Sequence, residues 1–324
     1  MPRAVVRVAS LALSGVLVLA LAGLGVAVSQ VHAPGPAAAD TTLVLARGLN
    51  LGAIAGRLES QGVIANAPIF SLWVRVSGAA SRLRAGEYRF PAHVAGVDVA
   101  RMLTEGRTLK HKLTVPAGLT TPNVLALLAN AEALQGEVPR EVAEGALMPE
   151  TYQYEWGDTR AALVARMERG MADLVAELWA KRDLEVALTT AAQAVTLASI
   201  IERETARADE RPRVAAVFLN RLRMGMRLQS DPTVAYALAQ MGRPEAPLTR
   251  DDLDIDHPFN TYRVRGLPPG PIANPGRASL VAVLHPIASN DLYFVADGTG
   301  GHAFAATLEE HNRNVARLRA LRGD

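Results

Sequence analysis

From Val8 to Val28 the chain runs twenty-one residues without a charge, broken only by Ser10, Ser14 and small glycines. About 20 such residues in a helix cross a bilayer core of roughly 30 Å. Arg3 and Arg7 precede the run and no basic cluster follows it, which predicts a cytoplasmic N-terminus and a body outside. The alternative is a cleaved signal peptide, for which Ala27-Val28-Ser29 offers a small-residue cleavage site. Signal-peptide apolar regions, however, are usually only about 7–15 residues long. Either arrangement exports the body. The expected order is a cytoplasmic tail over 1–7, a transmembrane anchor over 8–29 and a linker over 30–40, in which Pro34 to Ala39 reads as a spacer without structure.

The whole chain has 324 residues, room for two or three domains with real cores. Its 49% hydrophobic and 20% charged residues exclude a disordered chain and a multi-span membrane protein. Arg3 and Arg7 account for the formal net charge of +2, so the body is close to neutral, and no basic stripe interleaved with aromatics points to nucleic acid. The absence of cysteine excludes disulfides, thiol catalysis and thiolate metal sites and fits any compartment.

Shifted by seventy positions, the first half resembles itself. Leu43 to Leu49 aligns with Leu113 to Leu119, and Ile54 and Leu58 then match Val124 and Leu128 at the i, i+4 spacing of a buried helix stripe. Both copies predict a short strand, a glycine-containing turn and an amphipathic helix. Between them a helix is expected over Pro68 to Val76, a half-buried strand through Tyr88, Arg89 and Phe90, and a short helix over Val99 to Leu103. Lys110-His111-Lys112 reads as a solvated strand edge.

After an aromatic stretch at 145–154, Thr159 to Trp179 is expected as a long amphipathic helix, its methionines core filler rather than cofactor contacts. Thr189 begins a mostly apolar helix ending in Glu202-Arg203-Glu204. At helical period Glu202 falls beside Ala191, Val195 and Ala198, Glu204 falls on the other flank near Leu197 and Ile200, and Arg203 points away. A carboxyl against an apolar wall has its charged form disfavoured, which is what a general acid needs near neutral pH. The plainer alternative leaves both glutamates at the solvated rim of a core helix.

Pro212 is placed to start a further helix on which Asn220 is near enough to the apolar stripe to face inward, with Gly225 as its stop. Ser230 or Asp231 caps the next helix, reaching Met241, and Thr249 starts a short one. Asn260-Thr261-Tyr262 precedes residues 266–276, where four prolines and three glycines in eleven residues predict a rigid, shaped loop. A helix over Arg277 to Leu284, a hairpin across 297–301 and a final helix opened by Thr307 and Glu310 complete the chain. His302 and His311 lack the spacing of a zinc site, and no phosphate loop or nucleophile elbow occurs.

Together these residues resemble the endolytic murein transglycosylases of the MltG (YceG-like) family. The matching pieces are Leu197 to Thr205, Val217 to Leu222, Gly225 to Val234, Asn260 to Tyr262, Gly266 to Ile272, Asn274 to Gly276, Tyr293 to Ala296, Gly301 to Phe304 and Glu310 to Asn312. Gly48-Leu49, Leu83 to Tyr88 and Val115 to Thr120 match more loosely. The resemblance implies an α+β protein: an N-terminal transmembrane helix, a small LysM-like βα module that contacts glycan over 41–110, and a mixed α/β catalytic domain over 111–324. It implies an enzyme of the inner (cytoplasmic) membrane, single-pass, with its body on the periplasmic side. The reaction implied is cleavage of the MurNAc–GlcNAc β-1,4 bond within peptidoglycan strands, leaving 1,6-anhydro-MurNAc ends and helping to terminate nascent strands. The family's catalytic glutamate maps onto Glu202; Asn220, Gln229, Asp231, Asn260, Thr261 and Tyr262 are the candidate sugar contacts. Peptidoglycan synthases are candidate partners, and no cofactor or metal is implied. Two departures stand out: Phe259 replaces a usual tyrosine, removing a hydroxyl, and Glu150 replaces a usual aspartate. A non-catalytic peptidoglycan-binding scaffold and a lysozyme-like hydrolase, with Asp231 as second acid, remain the alternatives.

Overall fold

The computed structural model of the chain describes residues 14, 15, 18, 22–243 and 246–322, which fall into two compact units. One comprises the described residues within 1–111, 133–135 and 153–158, the other those within 112–132, 136–152 and 159–324. The tail over 1–7 and half of the segment expected as an anchor over 8–29 lie outside the described residues. Residues 22–32 are helical, and among the described residues no helix is long and apolar enough to cross a membrane.

In the first unit β1 (Thr41–Leu45) pairs antiparallel with β2 (Gly86–Phe90), Leu43 standing opposite Tyr88. Between them run α1 (Leu51–Ser60) and α2 (Ala67–Val76), each started by an asparagine whose side chain accepts a first-turn N–H. With α3 (Gly96–Glu105) they bury Leu58, Phe70, Val74, Val99 and Leu103 against Tyr88 and Phe90, while Arg89 stays outside. The Tyr88 hydroxyl donates to the Arg84 carbonyl at 2.8 Å, so its polar tip is satisfied inside this core.

Residues 34–39 form no helix or strand, as expected, but they are tied to residues 93–94: the Gly35 N–H meets the Val94 carbonyl at 3.1 Å and the His93 N–H meets that of Ala37 at 2.8 Å. A Cβ on Gly35 would lie 2.5 Å from the Val94 oxygen, so only glycine allows this approach. Residues 110–112 form the expected solvated strand edge, with Lys110 and Lys112 exposed. β3 (Lys110–Thr114) pairs with β4 (Thr151–Glu155); Lys110 meets Glu155, and His111 Nε2 lies 2.6 Å from Glu87 with its ring stacked on Tyr154. Both lysines stay in water, and only His111 is drawn inward, to Glu87 and Tyr154.

The seventy-residue repeat is present in the chain path. Beyond β1, Gly48 takes φ +85° and α1 buries Ile54 and Leu58; beyond β3, Gly118 takes φ +83° and α4 (Thr121–Ala129) buries Val124 and Leu128. The left-handed backbone at both turns explains the glycine in both copies.

The second unit is mixed α/β, with helices forming the core and strands only in two-stranded pairs. α5 (Arg160–Ala180) starts at the Thr159 cap and buries Leu163, Met167, Met171, Leu174 and Leu178 at the expected spacing. α6 (Ala191–Glu204) is capped by Thr190 rather than begun at Thr189. It packs on α5, α7 (Arg211–Arg223), α8 (Asp231–Gln240) and α9 (Arg277–Leu284), and is buried on every side from Thr196 to Ile201. Leu197, Ile200 and Ile201 each contribute about 1.5–3 kcal/mol by burial, which fixes the last turn of α6 in place.

Thr249 and Asp252 bond reciprocally around a 3₁₀ turn, Asp251–Asp254, in place of a full helix. β5 (Tyr293–Ala296) and β6 (His302–Ala305) form the expected hairpin, and α10 (Leu308–Arg322) opens on the Thr307–Glu310 capping box.

Residues 266–276 form no long regular element, as expected, but side chains pin them along α6. Ser199 Oγ, wholly buried, donates to the Thr196 carbonyl (2.7 Å) and accepts the Ile272 N–H (3.0 Å). Two residues on, Asn274 is wholly buried, with Nδ2 donating to the Leu119 carbonyl (3.0 Å) and Thr121 Oγ1 (3.1 Å) and Oδ1 accepting the Leu147 N–H (2.8 Å). The loop is thereby held at both contacts by saturated buried polar groups.

Candidate active site

α6 ends in two carboxyls two positions apart, and two residues turn about 200° on a helix, so they leave on different flanks. Glu202 leaves toward the N-terminus of α9. Its Oε2 accepts the Gly276 N–H at 2.9 Å and the Ser279 hydroxyl at 2.7 Å. Its Oε1 has one neighbour of this kind, Arg211 Nη2 at 3.5 Å, the outer limit of a hydrogen bond. The side chain is 7% exposed. Glycines line the space around it: a Cβ would lie 3.6 Å from Glu202 Cγ at Gly118 and 3.3 Å from Oε2 at Gly276. Hydrogen-bond donors and a guanidinium therefore receive Glu202, in place of the apolar wall expected from the helical pattern. That pattern reports which residues share one helix and is blind to what α9 and the 274–276 loop bring.

Glu204 leaves on the other flank, where Ser230 Oγ donates to its Oε2 at 2.9 Å. Beside it the Tyr262 hydroxyl donates to Asp231 Oδ1 at 2.5 Å. Burial pushes the Glu204 carboxyl up to about 7; the Asp231 charge adds to this, while Ser230 and Arg221 pull the other way. Burial first, then its bond to Asp231, also raises the Tyr262 phenol, which stays protonated at neutral pH. Arg221, 7% exposed, donates to the carbonyls of Leu292 and Leu228 and faces the Tyr293 ring, on which His311 stacks at 5.2 Å.

The expected sugar contacts divide by exposure. Gln229 and Asp231 are exposed and Tyr262 is partly so. Gln229 sits at φ +52° with its N–H on the Thr261 carbonyl, an arrangement that re-aims the chain just ahead of α8. Asn260 and Thr261 are buried and internally engaged. Asn260 Nδ2 bonds the Leu253 and Ile255 carbonyls and its Oδ1 accepts the Tyr262 N–H at 2.9 Å; Thr261 Oγ1 accepts the Ser230 N–H at 3.0 Å. Thr261 holds the 229–231 and 260–262 segments together, and Asn260 ties the second of them to residues 253–255. Asn220 faces inward as read, with Nδ2 on the Ser289 and Asp291 carbonyls. Ser230 heads α8, but its hydroxyl serves Glu204 rather than its own helix. Phe259 packs its ring against Tyr236 at 5.0 Å.

The sequence assigned no role at the site to Gly276, Ser279, Arg211 or Asn274. Asn274-Pro275-Gly276 was visible as part of a rigid loop and of the family resemblance, and Arg211 only as the neighbour of a helix-starting proline. Among the described residues no group of three or more His, Asp or Glu is placed to hold a metal ion.

Removing the Glu204 charge gives a stability test. The carboxyl sits near 7 in the folded chain and in the ordinary range, about 4.3, when unfolded. At low pH both states are protonated; as pH rises from about 4.5 to 7 the unfolded chain ionises first, so wild type loses stability, on the order of 3 kcal/mol. Glu204→Gln, which still accepts from Ser230, escapes this loss. In urea titrations the variant is expected to gain on wild type steadily from pH 4.5 to 7; a constant difference across that window refutes the placement of Glu204.

The whole arrangement has relatives. A protein of Bacillus subtilis named endolytic murein transglycosylase is 32% identical over 82% of this chain and 81% of its own length. One of that name from Streptococcus pneumoniae strain D39 is 28% identical over 85% of this chain, which spans 58% of that longer relative. A crystal structure of a yceG-like protein from Listeria monocytogenes superposes with a TM-score of 0.51 at 31% identity, covering 85% of this chain and 98% of that one. The sequence profile of the YceG-like family matches residues 43–317, a span holding both carboxyls, the loop that receives Glu202 and the hairpin. The chain belongs to the YceG-like family.

Proposed function

We propose that this chain is an endolytic murein transglycosylase, a lyase that cuts peptidoglycan glycan strands internally, with Glu202 as its one acid and base. The observation that carries the assignment is the unequal setting of the two Glu202 oxygens. Oε2 is anchored by Gly276 and Ser279, while among the described residues Oε1 meets only a distant guanidinium. A proton on this carboxyl belongs on Oε1, the oxygen without a short donor.

In the first half-reaction Oε1–H gives its proton to the glycosidic oxygen as the C1–O4 bond of the MurNAc–GlcNAc linkage breaks. In the second, the C6 hydroxyl of the same MurNAc attacks C1, and its proton passes to Oε1. The product is a 1,6-anhydro ring, Glu202 ends as it began, and no water is consumed. Because the nucleophile is tethered to the substrate, proximity supplies much of the rate. Hydrolytic glycosidases need a second carboxyl facing the first across the bond. The other carboxyl of α6, Glu204, is bonded instead to Ser230 on a different flank.

Gln229, Asp231 and Tyr262 are the exposed groups we assign to sugar contact, with Asn220, Asn260 and Thr261 shaping the segments that carry them. Within the first unit, the strand, two helices and strand formed by β1, α1, α2 and β2 fit the LysM-like glycan module expected over 41–110. The apolar run over 8–29 would anchor the protein once in the cytoplasmic membrane, with its body on the peptidoglycan side beside the synthases.

Digestion of purified murein tests the reading. Every new end should be an anhydro-MurNAc, lighter by one water than a hydrolysis product in mass spectrometry; reducing ends would make the chain a hydrolase, and no new ends a scaffold. Ser279→Ala, which removes one of two donors from Oε2, should lower kcat about tenfold with KM unchanged. One observation favours a second assignment: Glu204 is the carboxyl whose pKa burial brings to about 7. Anhydro products from Glu202→Gln and none from Glu204→Gln would establish it.

A further inference from the structure

Arg211 opens α7 with a side chain only 16% exposed. Its Nη2 stands 3.5 Å from Glu202 Oε1, and among the described residues its buried Nε has no hydrogen-bond partner. Buried N–H groups in folded proteins are nearly always paired, and a charged one is the costliest to leave bare. The acids next to it in sequence are engaged elsewhere. Glu210 accepts the His302 N–H at 3.0 Å and faces its Nδ1 at 2.6 Å, and Asp209 takes Arg207 at 2.6 Å. Glu202 is thus the carboxylate that Arg211 meets, and it meets it loosely.

The chemistry makes this looseness consequential. When Glu202 carries the proton it must donate, the pair bears a net positive charge largely withdrawn from water; once the proton has gone to the leaving oxygen, the pair is neutral. A group that fits the guanidinium before the transfer must therefore be a strong acceptor carrying partial or full negative charge. Neutral hydroxyls meet that need poorly; a carbonyl or carboxylate oxygen meets it well.

We propose that Arg211 is a substrate-binding residue whose guanidinium takes an acceptor oxygen from a substituent of the sugar being cut, either an acetamido carbonyl or the lactyl carboxyl group. The contact draws Nη2 into line with Oε1 and so sets the carboxyl that carries the reaction. The proposal rests on Glu202 being the acid.

Binding in an inactive background separates the two ideas. Full-length Glu202→Gln, with and without Arg211→Gln or Arg211→Lys, is titrated with three glycan preparations: intact strands, N-deacetylated strands, and strands stripped of stem peptide by an amidase, which leaves a free lactyl carboxylate. If the partner is the acetamido carbonyl, deacetylation weakens binding on the order of tenfold or more with Arg211 present and less than threefold with Gln in its place. If it is the lactyl oxygen, stripping the peptide strengthens binding with Arg211 present and leaves the Gln variant unmoved. Arg211→Lys keeps the charge but lacks the planar fork, and is expected to lose most of the discrimination. Equal responses to all three preparations with and without Arg211 overturn the proposal, as does a lysine variant that discriminates as well as arginine. Anhydro products from Glu202→Gln alone would instead overturn the acid assignment.

Discussion

Glu202→Gln should leave a folded chain that still holds glycan strands and releases anhydro-ended products about a thousandfold more slowly. The amide matches the carboxyl in shape, and its oxygen can accept the Gly276 N–H and Ser279 hydroxyl that Oε2 accepts at 2.9 and 2.7 Å. What it lacks is a proton to lend and recover. The loss should fall on kcat, because no sugar contact is removed, and the melting temperature should move little. Chromatography of digested murein with mass detection gives the rate, and a thermal melt gives the control. Residual activity within tenfold of wild type would remove Glu202 from the acid role.

The second large effect is on stability. Asn274→Ala should cost about 3 kcal/mol: it leaves the buried Leu147 N–H without a partner, at about 1–3 kcal/mol, and removes the bonds that Nδ2 gives to Thr121 Oγ1 and the Leu119 carbonyl, at about 0.5–1.5 kcal/mol each. Against a typical total of about 5–15 kcal/mol this is a large share. The side chain is wholly buried, so water cannot replace what is lost. Activity should fall with stability, because Gly276, two residues on, anchors Glu202. Asn274→Asp restores the acceptor for Leu147 but no donor, and puts a charge near Glu144, whose carboxyl burial already raises; it should be no more stable than the alanine variant. Urea titration decides: a loss under about 1 kcal/mol would mean that the loop is held by something other than Asn274.

Much of this was legible in the chain. The period of the apolar residues located α5, α6, α7 and α9 to within a residue or two, and Thr307 with Glu310 marked the start of α10. Gly48 and Gly118 marked matching turns because each sits at positive φ, a local backbone requirement that no distant contact sets. Short-range rules govern all of these, so a linear text carries them. The placement of Glu202 and Glu204 on different flanks of α6 was legible for the same reason.

What those flanks face was decided only in three dimensions. The donors on Oε2 come from residues 276 and 279, the guanidinium on Oε1 from 211 and the hydroxyl on Glu204 from 230, each brought by a different element. Helical periodicity ties a residue to neighbours three and four positions away and carries no information about such partners. The sequence determined which carboxyls could act and on which helix they stand. Packing of α7, α8, α9 and the 266–276 loop around α6 decided which oxygen is anchored, which is open and which carboxyl is buried against a serine, because those interactions join residues that only the closed core brings within 3 Å or so of one another.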